Sequence, residues 1–144
     1  MLGQDKMTRE TSVEEDGPAT SELEGRCVLI VEDEYFLASD LAKALRSSGA
    51  EVLGPEPTPE RARRHLGTES PIDVAILDIN LRGVMVYEFA DDLLAQGTPI
   101  LFLSGYDDRT PPPRFADVPH LRKPSPPDGV VKALNELLGS NAMR

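Results

Sequence analysis

The sequence predicts a single-domain α/β protein built on a parallel sheet. Five short apolar runs alternate with longer polar or amphipathic segments between residues 26 and 139. The runs are nearly continuous in apolar side chains, which is typical of strands buried on both faces. Most intervening segments repeat apolar residues every three or four positions, as helices packed on a sheet do. The 144 residues accommodate one such domain and a short tail.

The apolar runs define five strands in chain order. They are CVLIV, AEVLG, IDVAIL, PILFLS and DVPHL, at residues 27–31, 50–54, 72–77, 99–104 and 117–121.

Four helices are expected from apolar periodicity and from capping residues, prolines and glycines at their ends. The first carries Leu37, Leu41 and Leu45 and closes at Gly49, the second runs from a Thr58 cap to about Leu66, the third spans 86–96, and the last runs from a Ser125 cap to Gly139.

The link between the fourth and fifth strands lacks a helical pattern. It contains three consecutive prolines at 111–113, which remove backbone donors and disfavour helical geometry in the preceding residues. We therefore expect the helix at this place to be short, loose or absent.

Residues 1–24 are polar, strongly acidic and without periodicity, so we expect a disordered tail before a domain at 25–139. Residues 140–144 are expected to form a C-terminal tail, and no output domain is expected.

The net charge of -10 argues against binding nucleic acid or an anionic membrane surface. We interpret Cys27, the single cysteine, as a small core residue because it lies in an apolar run. No segment resembles a signal peptide or a membrane span, so the expected location is the cytoplasm.

Polar residues follow the strands at their carboxyl ends, where ligands gather in open parallel sheets. The residues at these ends are Glu32, Asp33 and Glu34 after the first strand, Asp78 and Asn80 after the third, Ser104 and Gly105 after the fourth, and Lys123 after the fifth.

This set has the chemistry of a phosphoryl-transfer site. Asp33 and Asp78 would lie about 5 Å apart on neighbouring strands, and carboxylates that close repel unless a cation neutralises them. Oxygen ligands suit Mg²⁺, with Mn²⁺ as a substitute, whereas His65 and His120 lie on different elements and could not form a zinc site. A lysine and a hydroxyl would bind phosphoryl oxygens, and an aspartate would act as the nucleophile.

Each residue taken singly has a structural explanation. Asp33 or Glu34 could cap the following helix, Ser104 could be a turn hydroxyl, Lys123 a solvated charge and Asp78 a loop acid. Four of five strand ends carry complementary groups, and that combination favours the functional interpretation.

The motifs VLIVEDE, ILDINL, LFLSG and RKP resemble those of response-regulator receiver domains across about residues 26–139. The resemblance implies a flavodoxin-like (βα)₅ fold with strand order 2-1-3-4-5. It also implies that Asp78 is phosphorylated, that Ser104 and Lys123 bind the phosphoryl group, and that Lys123 precedes its proline through a cis peptide. Mg²⁺ would be held by Glu32, Asp33, Asp78 and the backbone carbonyl of Asn80.

More narrowly, LDINLRG, FLSGY and PPRFADVPHLRKP are similar to FATGUY-type single-domain receivers, which work with HWE-class sensor histidine kinases, largely in alphaproteobacteria. Leu103, Ser104 and Asp107 depart from that motif. His120 stands where many receivers carry an aromatic switch residue, while Tyr106 and Asn80 lie where receivers tune access of the hydrolytic water. Gly105 is expected to belong to the same group of switch or tuning residues.

The expected function is a bacterial phospho-acceptor rather than an enzyme: Asp78 accepts a phosphoryl group from a kinase or a phosphotransfer protein. The domain would assist its own phosphorylation and slow autodephosphorylation, and would signal through protein–protein contacts. The alternatives are a phosphate sink for a shared kinase, an aspartate-nucleophile phosphatase of the haloacid-dehalogenase kind, and a pseudo-receiver that only binds a partner.

Overall fold

The structure, a computed structural model, describes residues 21–69 and 71–142. Most of the predicted acidic tail and the last two residues lie outside these ranges. No helix in the described ranges is both long and apolar enough to cross a membrane.

The chain folds into a five-stranded parallel sheet, a separate two-stranded hairpin and four α-helices within the residues that the structure describes. In chain order the elements are β1 (Cys27–Val31), α1 (Tyr35–Ser47), β2 (Glu51–Glu56), α2 (Pro59–Ala62), β3 (Val74–Asp78), β4 (Asn80–Leu81), β5 (Val84–Met85), α3 (Tyr87–Ala95), β6 (Ile100–Ser104), β7 (His120–Arg122) and α4 (Pro127–Ala142).

The sheet has the strand order β2-β1-β3-β6-β7, with every pair parallel. Because β6 and β7 are the predicted fourth and fifth strands, the predicted order 2-1-3-4-5 and the flavodoxin-like α/β fold are confirmed. Alternate strand residues enter two separate cores. α1 and α4 cover one face, and α2 and α3 cover the other, which explains why β1, β3 and β6 are buried at every position and are polar only at their last residues, Asp78 and Ser104.

The predicted disordered tail extends too far toward the domain. Leu23 is fully buried in the core between α1 and α4, and the backbone N–H of Glu22 donates to Asn135 Oδ1 of α4 over 2.8 Å. A single leucine among acids carries no periodic signal, so its burial could not be anticipated. The domain therefore begins at Glu22 at the latest.

Both ends of α4 also differ from the prediction. Ser125 does not cap the helix, because its hydroxyl donates to the Arg122 carbonyl over 2.6 Å, and the helix begins at Pro127. Gly139 does not end it. The helix continues to Ala142, since glycine without a left-handed backbone is tolerated inside a helix.

The proline-rich link contains no α-helix, as predicted. Its regular structure is one 3₁₀ turn at Pro113–Phe115. The turn is anchored by Phe115, whose ring stacks on Tyr87 and meets the edge of Phe102, with centroids 5.3 Å apart in both pairs. Phe115 thus covers the core at the place where an α-helix between β6 and β7 would otherwise pack.

The β4–β5 hairpin was not predicted. Its two turn residues, Arg82 (φ 55°) and Gly83 (φ 90°), both have positive φ angles, which suits the twist of a two-residue hairpin. Asparagine or aspartate before glycine is the usual sequence signal for such a turn. Here arginine precedes glycine, so the sequence did not predict the hairpin. The hairpin projects beyond the carboxyl end of β3.

Candidate functional site

The predicted site residues converge at the carboxyl edge of the sheet. Asp78 is the last residue of β3 and Ser104 the last of β6, while Glu32 and Asp33 directly follow β1 and Lys123 directly follows β7. The strands are neighbours in the sheet, so side chains at their ends share one edge.

Three carboxylates form the floor of the site. One oxygen from each of Glu32, Asp33 and Asp78 lies within 4.8 Å of the others. Glu32 and Asp78 are buried and Asp33 is partly exposed. This matches the strand-spacing argument for Asp33 and Asp78, and it adds Glu32 to the same cluster.

Lys123 is the cation at the centre of this cluster. Its Nζ lies 2.8 Å from Asp78 Oδ2, 2.9 Å from Glu32 Oε1 and 3.2 Å from Glu34 Oε1. Burial lowers the pKa of Lys123, but hydrogen bonds and charge attraction from Asp78 and Glu32 outweigh it and raise the pKa above its ordinary value. The lysine therefore stays charged. The Lys123–Pro124 peptide is cis, as the family resemblance implies.

Glu32 is incompletely compensated. Its Oε2 accepts the backbone N–H of Glu34 over 2.9 Å, and its buried Oε1 relies on the contact with Lys123 Nζ, 2.9 Å away. Burial, then repulsion from Asp78, raises the pKa of Glu32 to about 7, although the Glu34 amide and Lys123 oppose the change. One lysine does not neutralise three clustered carboxylates.

The cluster fits a divalent cation with oxygen ligands. A buried Glu32 oxygen that relies on an ammonium already shared with other carboxylates, two further carboxylates and an open side toward solvent suit Mg²⁺, because it binds a few carboxylates and keeps several waters. Glu32, Asp33 and Asp78 are the side chains that would hold it.

Glu32 makes the stability of the metal-free protein depend on pH. Its pKa in the folded protein, about 7, exceeds the ordinary value of 4.5, so folding favours the protonated form. This stabilisation is complete below pH 4.5 and is lost as the pH rises to about 7. The free energy of unfolding of the wild type should therefore fall as the pH rises from 4.5 to about 7. We expect Glu32→Gln to reduce this fall, as measured by urea denaturation in the presence of a chelator. Glu136→Gln, at an exposed position on α4, is the matched control, and an unchanged slope in Glu32→Gln would contradict the assignment.

The capping explanation for the acids after β1 does not hold. Glu34 is the residue before α1, yet its side chain makes no capping hydrogen bond. Its carboxylate contacts Lys123 instead, and Asp33 contacts Arg82, whose Nε lies 3.1 Å from Asp33 Oδ2. Asp78 is a buried strand residue, which excludes the loop-acid alternative.

A second network braces the loops around Asp78. The Asn80 backbone N–H donates to Asp78 Oδ1 over 3.0 Å, and Asn80 Nδ2 donates to Asp108 Oδ1 over 3.1 Å. Asp108 Oδ2 in turn accepts the Gly105 backbone N–H over 2.6 Å. This places Gly105 beside the site and ties the loop after β3 to the loop after β6.

Sequence reasoning missed two members of the site, Arg82 and Asp108, and it placed Glu34 at this edge without assigning it a contact there. Glu34 adjoins the acidic pair, so its position offered a signal. Asp108 sits in an irregular loop without periodicity, and Arg82 depended on an unrecognised hairpin.

Ser104 is fully buried, and its hydroxyl lies 2.5 Å from His120 Nε2 on the neighbouring strand. Burial and then Arg122 lower the pKa of His120, while Asp108 opposes them, so the imidazole is neutral at pH 7. The tautomer of the ring decides whether Ser104 or His120 donates in this hydrogen bond. Tyr106 is 90% exposed at the rim. The switch role of His120 and the tuning roles of Gly105 and Tyr106 stay predictions.

Comparisons with known proteins agree with this geometry. The family model described as response regulator receiver domain matches residues 28–135. A comparison with curated sequences found no significant match. The solution structure of SdrG from Sphingomonas melonis Fr1 is 39% identical, with a TM-score of 0.69, covering 82% of this chain and 98% of that one.

Two further structures are similar. A putative response regulator from Chloroflexus aurantiacus is 27% identical with a TM-score of 0.68, covering 81% of this chain and 99% of that one. The signal receiver domain of a modulated diguanylate cyclase from Desulfovibrio desulfuricans G20 is 28% identical with a TM-score of 0.70, covering 83% and 98%. Together with the family match and the site geometry, these likenesses show that the chain belongs to the response regulator receiver domain family.

Proposed function

We propose that this protein is a single-domain response regulator of the bacterial cytoplasm. It accepts a phosphoryl group from the phosphohistidine of a sensor kinase or phosphotransfer protein onto Asp78, and it signals through protein–protein contacts. The observation that carries the proposal is the buried Asp78 carboxylate, held 2.8 Å from Lys123 Nζ within a cluster of three carboxylates.

Asp78 is the nucleophile in this reaction. One of its carboxylate oxygens forms a bond to phosphorus as the bond from phosphorus to the donor histidine breaks, and the histidine leaves with the electron pair. Lys123 is already placed beside Asp78 Oδ2, so its charge stabilises oxygens that gain negative charge during transfer. The Asn80 amide orients the other carboxylate oxygen.

A bound Mg²⁺ would neutralise the charge of the transferred group. Glu32, Asp33, Asp78 and the Asn80 backbone carbonyl are the groups proposed to hold it. Ser104 would supply a hydroxyl hydrogen to a phosphoryl oxygen, and where His120 Nε2 accepts that hydrogen, Ser104 would have to give up His120. Positioning and charge neutralisation of this kind make up most of phosphoryl-transfer catalysis.

We also propose an HWE-class kinase as the donor. Support comes from the similarity of LDINLRG, FLSGY and PPRFADVPHLRKP to FATGUY-type receivers. In the described residues no α-helix lies between β6 and β7, and in receivers of that type the helix at this place is often loose or absent.

The site does not favour a phosphatase acting on external phosphoesters. Such an enzyme places a second acid two residues after its nucleophile, and here that position is Asn80. Its side-chain amide is engaged with Asp108 and with the Gly83 backbone N–H, and it supplies no proton. We therefore propose an acceptor that does not turn over external substrates.

Phosphorylation of the wild-type chain tests this function. With a phosphorylated histidine kinase and Mg²⁺, we expect intact-mass spectrometry to show one added phosphoryl group, lost on hydroxylamine treatment and absent when Mg²⁺ is chelated. Continuous phosphate release from small phosphoesters would instead support the phosphatase. Capture experiments with beryllofluoride-loaded and unloaded protein then separate messenger from sink, because only a messenger has a partner that discriminates the two forms.

A further inference from the structure

The β4–β5 turn holds an arginine at the mouth of the acidic site. Arg82 is the one non-glycine residue with a left-handed backbone in the part of the chain that the structure describes. Two hydrogen bonds hold the turn in place: the Gly83 backbone N–H donates to Asn80 Oδ1 over 2.7 Å, and the Asn80 side-chain amide donates to Asp108. The backbone of Arg82 is therefore tied to the loop that follows Asp78.

The Arg82 side chain pairs with one of the proposed metal ligands. Its Nε donates to Asp33 Oδ2 over 3.1 Å. The Arg82 side chain is 83% exposed, whereas that of Asp33 is 13% exposed. Water screens an ion pair with so exposed a partner, so little free energy separates the paired guanidinium from a released one.

Arg82 also shares a cavity with the phosphorylation site. A cavity of about 350 Å³ is lined by both Arg82 and Lys123 together with Asp33 and Asp78. With its carboxylates ionised, the cluster of Glu32, Asp33 and Asp78 carries more negative charge than these two cations neutralise. A divalent cation on these three carboxylates would offset that excess, so that Asp33 would no longer need Arg82 as its counter-ion.

We propose that Arg82 is an exchangeable counter-ion of this site, an inference that rests on the proposed function. It pairs with Asp33 while no divalent cation is bound. When a divalent cation takes Asp33, Arg82 is released to bind the oxygens of an incoming phosphoryl donor. A guanidinium suits this role because its planar array of N–H donors matches phosphoryl oxygens.

Cation binding in the absence of any donor tests the first half. Arg82→Ala is compared with Arg64→Ala, which removes the same charge at an exposed position outside the site. By calorimetry with Mg²⁺ alone at low ionic strength, we expect Arg82→Ala to bind about two- to fivefold more tightly than Arg64→Ala, with the difference shrinking as salt is added. Equal affinities would overturn the counter-ion role.

Acetyl phosphate at saturating Mg²⁺ tests the second half. We expect Arg82→Ala to be phosphorylated about three- to tenfold more slowly than Arg64→Ala, and Arg82→Lys to fall between them. Equal rates would refute the donor contact. If no variant, nor the wild type, is labelled while Mg²⁺ affinities still differ, the proposed function fails and the pairing of Arg82 with Asp33 stands.

Discussion

We expect Asp78→Asn to abolish phosphorylation by a cognate kinase or by acetyl phosphate. An amide nitrogen or neutral amide oxygen cannot replace the carboxylate as nucleophile, and Asp78 is the buried acid beside Lys123. The measurement is intact-mass spectrometry over time with excess donor and Mg²⁺, where the wild type gains one phosphoryl group and the variant stays at background.

A matched substitution separates this effect from a general loss of charge. Asp40→Asn changes the same atoms on the exposed side of α1, and we expect labelling at the wild-type rate. Circular dichroism of all three proteins verifies that they are folded. Labelling of Asp78→Asn at a rate near the wild type would place the acceptor on another residue and end the proposed mechanism.

Phe115→Ala destabilises the fold by about 3–5 kcal/mol, the usual cost of removing a buried aromatic ring. Phe115 is 2% exposed and packs between Tyr87 and Phe102. The link from β6 to β7 has no α-helix to cover the sheet, so this ring is its main apolar anchor. Urea unfolding followed by circular dichroism measures the change as a lower denaturation midpoint.

Phe36→Ala is the control for that experiment. Phe36 is 80% exposed on α1, so the same chemical change should alter the unfolding free energy by about 0.5 kcal/mol or less. A loss below about 1 kcal/mol for Phe115→Ala would mean that the 3₁₀ turn is not a structural anchor.

The sheet and most of the site were predictable for one physical reason. In a parallel sheet the carboxyl ends of all strands meet at one edge, so identifying β1, β3, β6 and β7 was sufficient to bring Asp33, Asp78, Ser104 and Lys123 together. β1, β3 and β6 are buried at every position, and such nearly continuous apolar runs are typical of strands in a parallel sheet covered on both faces.

The residues that escaped prediction lie where local sequence carries little information. Leu23 is a lone apolar residue among acids, and its burial depends on a groove that exists only after α1 and α4 have packed. Arg82 occupies a turn position that asparagine usually holds. Ser125 precedes a proline as helix caps often do, yet a carbonyl at the end of β7 competes for its hydroxyl.

The hydrogen bond between Ser104 and His120 has a consequence that depends on the tautomer of the imidazole. With the ring hydrogen on Nδ1, Nε2 accepts the only hydrogen that Ser104 has to donate, and a phosphoryl oxygen on Asp78 would compete with His120 for it. The free energy of the serine–histidine bond would then be subtracted from that of phosphoryl binding, and the edge strand β7 would lose an attachment when Asp78 is phosphorylated. Under the proposed function, phosphorylation and the freedom of β7 are thermodynamically linked through a single proton.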